Sequence, residues 1–570
     1  MRYLKLAELY EETSSTTKRL EKTEILAKFL SLLSPDDRDV LYLLQGDIYP
    51  EYDERRIGIS NQLAIKAISK ATGVEGKKVV SEWKKIGDLG LVAEKLTKTK
   101  KQSTLYSHVL TTQKVLDNLR KLPSLEGKGT VEKKLSLIVE LLTSASSLEA
   151  KYLVRTLIGD LRIGIQESTI KDAMAVAYFP NEDKKEVSEI IQRAIDKSND
   201  LALVFDLVMK KNLKKLEQVE LEIGKPIKAM LCKKVTSIKD GFEEVGKPCA
   251  IEYKYDGFRL LIHKKGKDIA LFTRSLEKVT KQFPEVVDYV LKYVKGDSFI
   301  LDSEAVGFDR KTKEYKPFQD ISQRIRRKYS IEVLRNKLPV EVNVFDILHY
   351  HGKSLIDEPF SKRTELIKKI ITNSPYKLIH AKQIITGNEK KAEEFYKKAL
   401  KDNQEGVMMK NLDALYKPGR RVGNMVKMKP EERDLDLVIT GAEYGTGKRS
   451  GWLSSFILSC RNKKGEYLEV GKVGTGIKEK SDIGISFEEL TEKIKPLIIS
   501  ENGKTVKIKP RIVVAVTYQE IQKSPNYNSG WALRFPRFTA LRPDKHLSEI
   551  TTIEEIEKDY QNQKRNYRYG

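Results

Sequence analysis

The apolar residues of this chain change their spacing twice, and a chain that does so folds as several domains rather than one. Up to about residue 220 they recur at helical spacing. Ala7, Leu9 and Tyr10 are followed by Ile25, Leu26, Phe29, Leu30 and Leu33, and Val131–Leu142 and Leu201–Met209 are further runs. Ser34-Pro35-Asp36-Asp37 reads as a helix start, with proline in the first turn and acids at the positive end of the dipole. A basic cluster, Lys210–Lys215, closes the region, and Gly224-Lys225-Pro226 reads as a linker. Beyond it come short β-like runs: Ala250–Tyr253, Phe258–His263, Ile269–Phe272, Phe299–Leu301, Val340–Leu348 and Val407–Lys410. Helical runs at Phe283–Val294 and Lys362–Ile371 separate them, so a mixed α+β region is expected. The second change follows Lys427-Met428-Lys429-Pro430. From about Leu435, strand-like runs (Leu437–Thr440, Ser455–Cys460, Tyr467–Val473, Val513–Gln519) alternate with Gly445, Gly447, Gly451, Gly474 and Gly476. That pattern suits a small β-barrel of the oligonucleotide-binding (OB) type. The predicted architecture is an all-α domain over 1–220, an α+β domain over 221–429 and a β-barrel over 430–570, with the charged tail from Glu554 to Gly570 frayed. No internal repeat is visible.

Lys and Arg number 105 against 81 Asp and Glu, a net charge of +24. A surplus of that size selects a polyanionic partner, nucleic acid first. The 33% of charged residues, rich in both Lys and Glu, fits a hot-growing source. Cys232, Cys249 and Cys460 lie far apart and form no CxxC, which excludes a zinc module or disulfide framework and fits a reducing cytosol. No apolar run reaches membrane-spanning length, and Met1-Arg2-Tyr3-Leu4-Lys5 lacks a signal-peptide core, so a soluble cytoplasmic protein is expected.

The chemistry centres on Glu252-Tyr253-Lys254-Tyr255-Asp256-Gly257-Phe258-Arg259. Lys254 is expected in a turn between two strands, where Gly257 lets backbone approach a ligand closely. A desolvated lysine, or one among cations, loses its proton more easily and becomes a nucleophile. Alone, the string is equally a surface turn. Further clusters follow at predicted strands: Arg274-Ser275, Asp302-Ser303-Glu304, Phe345-Asp346, Glu405 to Lys410, and Val426-Lys427-Met428-Lys429. Each alone is an ordinary strand with a polar neighbour. Together they supply a nucleophilic lysine, carboxylates for a divalent metal, cations for phosphates and an aromatic face for a base, which is a kit for a nucleoside triphosphate. In the helical region, Arg155 to Gln166 sets two glycines and two arginines between helices, a pattern suited to helix N-termini meeting phosphate.

The order and spacing of these motifs resemble the covalent nucleotidyltransferases, specifically the ATP-dependent DNA ligases of the archaeal and eukaryotic replicative type. The resemblance covers nearly the whole chain, including Leu161-Arg162-Ile163-Gly164 of the helical, DNA-binding region. It implies that Lys254 in Lys-x-Asp-Gly-x-Arg takes AMP. Glu252, Arg259, Arg274, Glu304, Phe345, Arg421 and Lys427 fall where the family contacts the nucleotide, and Glu304 and Glu405 match its metal-associated acids. Arg534-Phe535-Pro536-Arg537, followed by Arg542-Pro543-Asp544-Lys545, resembles the motif that ends the barrel. One departure is Asn424-Met425-Val426 before Lys427, where related enzymes often carry an aromatic.

The resemblance implies ATP as nucleotide, Mg2+ or Mn2+ as metal, and a monomer sealing nicks in duplex DNA during replication, repair and recombination. The steps are in-line phosphoryl displacements: AMP moves to Lys254, then to the 5′-phosphate of the nick, and is released when the 3′-hydroxyl attacks. The lysine pKa must fall from about 10.4, with nearby cations supplying the field. Between Lys429 and Leu435, Pro430 and the charged Glu431, Glu432, Arg433 and Asp434 form a candidate hinge for a barrel that brings Arg542 and Lys545 to the pyrophosphate. Gln102, Leu105 and Tyr106 form a shortened clamp-binding segment, with Gln113-Lys114-Val115-Leu116 a poorer match. Capping guanylyltransferases and RNA ligases lack the long helical region, NAD⁺-dependent DNA ligases carry a four-cysteine module, and a non-catalytic scaffold leaves Lys254, Glu304, Glu405 and Lys427 without purpose.

Overall fold

The computed structural model describes residues 1–99, 109–127, 129–316, 318–325, 331–430, 433–446, 449–479 and 485–569. Helices occupy the chain as far as Glu217 and strands dominate after it, as the apolar spacing predicts. Two compact units form. One holds the described residues of 1–59, 107–144 and 155–430, the other those of 60–106, 145–154 and 431–570.

In the first unit the helices Tyr3–Ser14, Arg19–Leu30, Glu167–Tyr178, Lys184–Ser198 and Leu201–Met209 bury their apolar stripes against each other. Ser34 and Asp37 make the reciprocal cap, but it opens a single 3-10 turn, Pro35–Asp37, ahead of the short helix Val40–Leu44. Arg155 is not in the loop; it is buried in the helix Ser147–Leu157. The loop itself turns through Gly159, Arg162 and Gly164, all at positive φ. Nor is Gly224-Lys225-Pro226 a free linker. The Gly224 amide donates to His263 Nδ1, Asn199 Nδ2 donates to the Pro226 carbonyl, and Ile227 is buried.

The strands that follow are β1 (Leu231–Val235), β2 (Cys249–Lys254), β3 (Phe258–Lys265), β4 (Asp268–Phe272), β5 (Ser298–Phe308), β6 (Tyr315–Lys316), β7 (Val340–Tyr350), β8 (Lys353–Ser354), β9 (Leu378–His380), β10 (Gln383–Thr386), β11 (Gly406–Asn411) and β12 (Arg421–Met428). They make a five-stranded sheet ordered β1-β12-β11-β2-β10 and a second ordered β4-β3-β5-β7-β8, with β6 beside β5 and β9 beside β7. The period of two sorts each strand's side chains. Ile251, Tyr253, Val407, Met409, Val426 and Met428 share one apolar cluster. Glu252, Lys254, Met408, Lys410 and Lys427 alternate with them and share the opposite face through the pairs Glu252↔Met408 and Met408↔Lys427. In the second sheet Leu260, Leu301, Ala305 and Val344 enter the core, while Arg259, Asp302 and Glu304 take the other face.

The second unit carries the helices Asn61–Thr72, Gly76–Ile86 and Leu89–Lys98 and the strands β13 (Arg433–Tyr444), β14 (Leu453–Arg461), β15 (Tyr467–Val473), β16 (Ile498–Asn502), β17 (Thr505–Ile508), β18 (Val513–Tyr518), β19 (Glu520–Lys523), β20 (Trp531–Arg534) and β21 (Arg537–Leu541). They form an OB-like region ordered β15-β14-β13-β17-β16, with β18 joining β13 to β21, and a helix, Phe487–Ile494, packed on β14. Two expectations change here. Arg433 and Asp434 are already paired in β13 with Tyr518 and Thr517, so they are not hinge residues, while Glu431 and Glu432 lie outside the described residues, as does Gly447. The charged tail is a helix, Ile553–Tyr569, not a frayed end. Ile556 is fully buried in the barrel core, Ile553 and Tyr560 pack against that core, and Trp531 meets the Tyr560 ring at 4.4 Å. The spacing of those three residues gives a narrow apolar stripe that the abundance of charge obscures.

Candidate active site

Lys254 is the last residue of β2, and Tyr255-Asp256-Gly257 make the turn. The close approach that Gly257 permits is to β5, not to a ligand. A Cβ there would lie 2.3 Å from the Ala305 carbonyl oxygen and 3.1 Å from Glu304 Cγ. Loss of that side chain lets Lys254 and Glu304, on different sheets, share one site. Lys254 Nζ lies 2.8 Å from Glu405 Oε2, and the Glu405 amide donates to the Lys254 carbonyl at 2.9 Å, so the carboxylate is anchored to the strand end it serves. Lys429 Nζ contacts the same Glu405 oxygen.

These charges set each other's protonation. Burial works against the Lys254 ammonium, yet Glu405 and Glu304 together hold its pKa above the ordinary value. Burial pushes the Glu304 carboxyl up to about 8, with Lys254 opposing and Glu405 and Asp302 adding to the shift. Burial also favours the neutral form of Glu405, but Lys254 and Lys429 hold that carboxyl below its usual range. Lys429 is lowered by burial and by Lys254, against the pull of Glu405. The expected arrangement, a lysine activated by surrounding cations, is therefore not the one present. The protein alone keeps Lys254 charged.

Arg259 faces Glu304 across the β3–β5 pair but is no free cation. Its Nε and Nη2 donate to Asp302 at 2.7 and 2.9 Å, and Nη2 also reaches the Tyr416 hydroxyl at 3.3 Å. Nη1 is buried without a hydrogen-bond partner, a donor left for a ligand. Glu252 is buried, paired with Lys410 at 2.7 Å and accepting from Gln383 Nε2 at 2.8 Å. Lys410 Nζ stands 4.9 Å from the centre of the Phe345 ring, which joins the two sheets. Phe345 is the extra residue of a bulge in β7, since Ser303 pairs Val344 while Asp302 pairs Asp346; such bulges re-aim a side chain. Lys427 is half-buried on the same face of its sheet as Lys254.

Lys254, Glu304, Arg259, Glu252, Phe345 and Lys427 thus lie on facing strands, with Glu405 in the loop that leads into β11 rather than within the strand. Arg274 is exposed in the turn after β4, and no described contact joins it to the cluster. Arg421 opens β12, and its side chain lies outside the described set. Gln102, Leu105 and Tyr106 lie outside the described residues. Gln383, Asp302 and Tyr416 were missed as partners, because each acts through a strand or loop remote in sequence. Lys429, which the sequence already groups with Lys427, shares Glu405 with Lys254.

Among the described residues no three His, Cys, Asp or Glu side chains converge as a metal cage. Two carboxylates, Glu304 and Glu405, are what Mg2+ needs when substrate phosphates and water complete its shell. No helix of the described residues is long and apolar enough to cross a membrane.

Comparison with known proteins gives a consistent result. The family model for the DNA ligase N terminus matches residues 2–175, that for the ATP-dependent DNA ligase domain residues 229–429, and that for the ATP-dependent DNA ligase C-terminal region residues 449–545. The chain is 44% identical over 567 residues to a DNA ligase of Nanoarchaeum equitans, with 99% of each chain covered. It is 40% identical over 568 residues to a DNA ligase of Thermococcus onnurineus, again with 99% of each covered. A solved structure titled Pmar-Lig_PreS3 shares the fold, with a TM-score of 0.58 at 18% identity over 94% of this chain and 99% of that one.

Proposed function

Because the chain belongs to the family of ATP-dependent DNA ligases, enzymes that join DNA using ATP, we propose that it seals nicks in duplex DNA through an AMP carried on Lys254 Nζ. The placement of Lys254 between Glu405 and Glu304, on the facing charged faces of two sheets, is the observation that carries the assignment. In this reading the domains are the helical DNA-binding segment 1–220, the adenylation segment 221–429 and the OB-type segment 430–570.

Lys254 must release a proton before its Nζ can attack the α-phosphorus of ATP and expel pyrophosphate. Glu405 and Glu304 would hold Mg2+, or Mn2+ in its place; a cation bound there would supply positive charge at the phosphate oxygens, and Glu405, once engaged with it, would no longer hold the Lys254 proton. Phe345 and Arg259 Nη1 orient the nucleoside, with Glu252 fixed by Lys410 and Gln383. Lys427, Lys429 and Arg421 face the phosphates, and Arg274 joins them on binding. AMP then passes to the 5′-phosphate of the nick and leaves when the 3′-hydroxyl attacks. Every step is an in-line displacement, so positioning and charge carry the catalysis. Arg542 and Lys545 meet the pyrophosphate when the OB-type segment closes over ATP, and withdraw so that DNA can reach the adenylated lysine.

The duplex is held through its phosphates, which the whole chain's net charge of +24 supports, with the helical segment contributing the loop from Gly159 to Gly164. We place the protein in the cytoplasm as a monomer, serving replication, repair and recombination, with Gln102, Leu105 and Tyr106 docking on a sliding clamp. The deciding experiment is sealing of a singly nicked duplex by purified protein with ATP, GTP or NAD⁺. Joining with ATP alone supports the assignment; label transfer from GTP or NAD⁺ instead, or no joining, refutes it.

A further inference from the structure

Arg542 and Lys545 are the cations that the proposed first step needs, yet Arg542 is already held between two carboxylates of its own unit. Nε and Nη2 donate to Asp544 at 3.0 and 2.8 Å, and Nη1 donates to both oxygens of Asp436 at 2.9 and 3.1 Å. Lys545 Nζ lies 3.6 Å from the same Asp436, and the Lys545 amide donates to the Arg542 carbonyl at 3.1 Å. Asp544 is a neighbour in sequence and mostly exposed, but Asp436 is 106 residues away and largely covered. It sits within β13, its carbonyl accepting from the Thr551 amide at 2.9 Å, so its position is set by the sheet.

The sheet is shaped for this reach. Asp436 pairs with Ala515 of β18, and Ala515 pairs with Ala540 of β21. Arg542 follows two residues after Ala540 and stays in register, its amide donating to the Val513 carbonyl at 2.9 Å. Leu435, Leu437, Val514 and Val516 enter the core, so Asp436, Ala515, Ala540 and Arg542 lie on the outer face. To meet Asp436, the Arg542 side chain must cross a whole strand, a span of about 10 Å between outer strand axes. By that register Arg542 stands opposite Val513 and Asp436 opposite Ala515, so the side chain slants between the two, and Ala515 is only 6% exposed although it faces outward. A larger residue at 515 would crowd Asp436 and the side chain slanting towards it.

We propose that Asp436 is a positioning residue for self-adenylation, fixing Arg542 and Lys545 as one preset pair of cations; this rests on the reading that those two residues meet the pyrophosphate of ATP. All three nitrogens of the guanidinium are tethered, and of its five N–H groups one, on Nη2, stays available. The tether spares both side chains the ordering that would otherwise accompany each turnover.

The test uses the full chain and three substitutions, Asp436→Asn, Ala515→Leu and Arg542→Ala, each first checked by a melting curve. Three reactions are followed: AMP transfer from saturating ATP to protein, its reversal by pyrophosphate, and sealing of a nick supplied already adenylated. Asp436→Asn is expected to slow the forward and reverse transfers alike by tenfold or more, with KM for ATP little changed and sealing intact. Ala515→Leu, which removes neither charge, is expected to reproduce that pattern by crowding Asp436 and the Arg542 side chain. Should Asp436→Asn and Ala515→Leu adenylate at the normal rate while Arg542→Ala fails, the positioning role is overturned and the role of Arg542 stands. Normal adenylation by Arg542→Ala would instead overturn the reading beneath both. Equal losses in all three reactions would reduce Asp436 to a structural ion pair.

Discussion

Glu405 keeps Lys254 charged, so on the proposed reading the lysine rests in its unreactive form until ATP binds. Because the pKa is raised and the neutral amine is the nucleophile, single-turnover adenylation should climb with pH from neutral into the alkaline range. Glu405→Gln removes the nearest negative charge, so that rising limb should move to lower pH, measured by stopped AMP transfer across a pH series. Lys254→Arg keeps the charge but cannot be deprotonated in practice, and should leave no AMP on the protein by mass spectrometry. AMP found on another residue of the wild type would end the assignment. Glu304→Ala and Glu405→Ala should each slow turnover by orders of magnitude and raise the Mg2+ needed for half-maximal rate; an unchanged Mg2+ curve in both would remove them from the metal.

Two elements carry consequences that single residues do not. The helix Lys184–Ser198 meets the segment before β12 around a cavity of about 280 Å³ lined by Glu167, Gln192, Asp196, Asn199, Lys228 and Arg420. Asp196 lies 3.4 Å from Arg420, and burial pushes its carboxyl up to about 6, with Arg420 and Gln192 opposing and Glu167 adding. A carboxyl raised in the folded state binds its proton more tightly there than when unfolded. Stability is therefore lost as pH rises from about 4 towards 6, and the penalty stays above that window. Asp196→Asn should leave the melting temperature unchanged near pH 4 and raise it at pH 7, by up to roughly 3 kcal/mol of stability. The C-terminal helix is the other case. Ile556 is fully buried against the barrel, so Ile556→Ala should cost about 2–5 kcal/mol by emptying its place in the core, read as a lower melting temperature.

At the scale of the whole molecule, charge governs the encounter with DNA. Binding of nicked duplex should weaken steeply with salt, with a slope of roughly −0.9 for each phosphate neutralised, whatever the sequence. On the proposed reading the loop from Gly159 to Gly164 belongs to that surface; three positive-φ residues turn it, and Lys22 Nζ donates to the Ile163 carbonyl at 2.6 Å. A fragment spanning the helical segment that binds nicked duplex no better than a neutral protein would refute this. The segment joining the adenylation and OB-type strands is shorter than its composition implies, because β13 begins at Arg433. On the proposed reading the OB-type segment moves about this joint, and Glu431→Pro should slow overall joining more than AMP transfer, measured by comparing the two rates.

The sequence alone determined what is local. Helical spacing to about residue 220, alternation in β2, β3, β5, β7 and β11, and the glycine-punctuated strands after Leu435 all follow from which residues can be buried at a period of 3.6 or 2. Lys254 and its acidic and basic partners could be read as well, since their order along the chain carries the resemblance. What tertiary structure decided is who neutralises whom. Asp302 and Tyr416 claim Arg259, Lys410 claims Glu252, and Glu405 is divided between Lys254 and Lys429, through contacts between strands far apart in sequence. The same holds for Gly257, whose missing side chain makes room for β5, and for Ile556, whose helix needs the barrel to bury it. A protonation state depends on burial and on charges within a few ångströms, and neither exists until distant strands pack; that is why the sequence points to Lys254 and only the fold pairs it with Glu405.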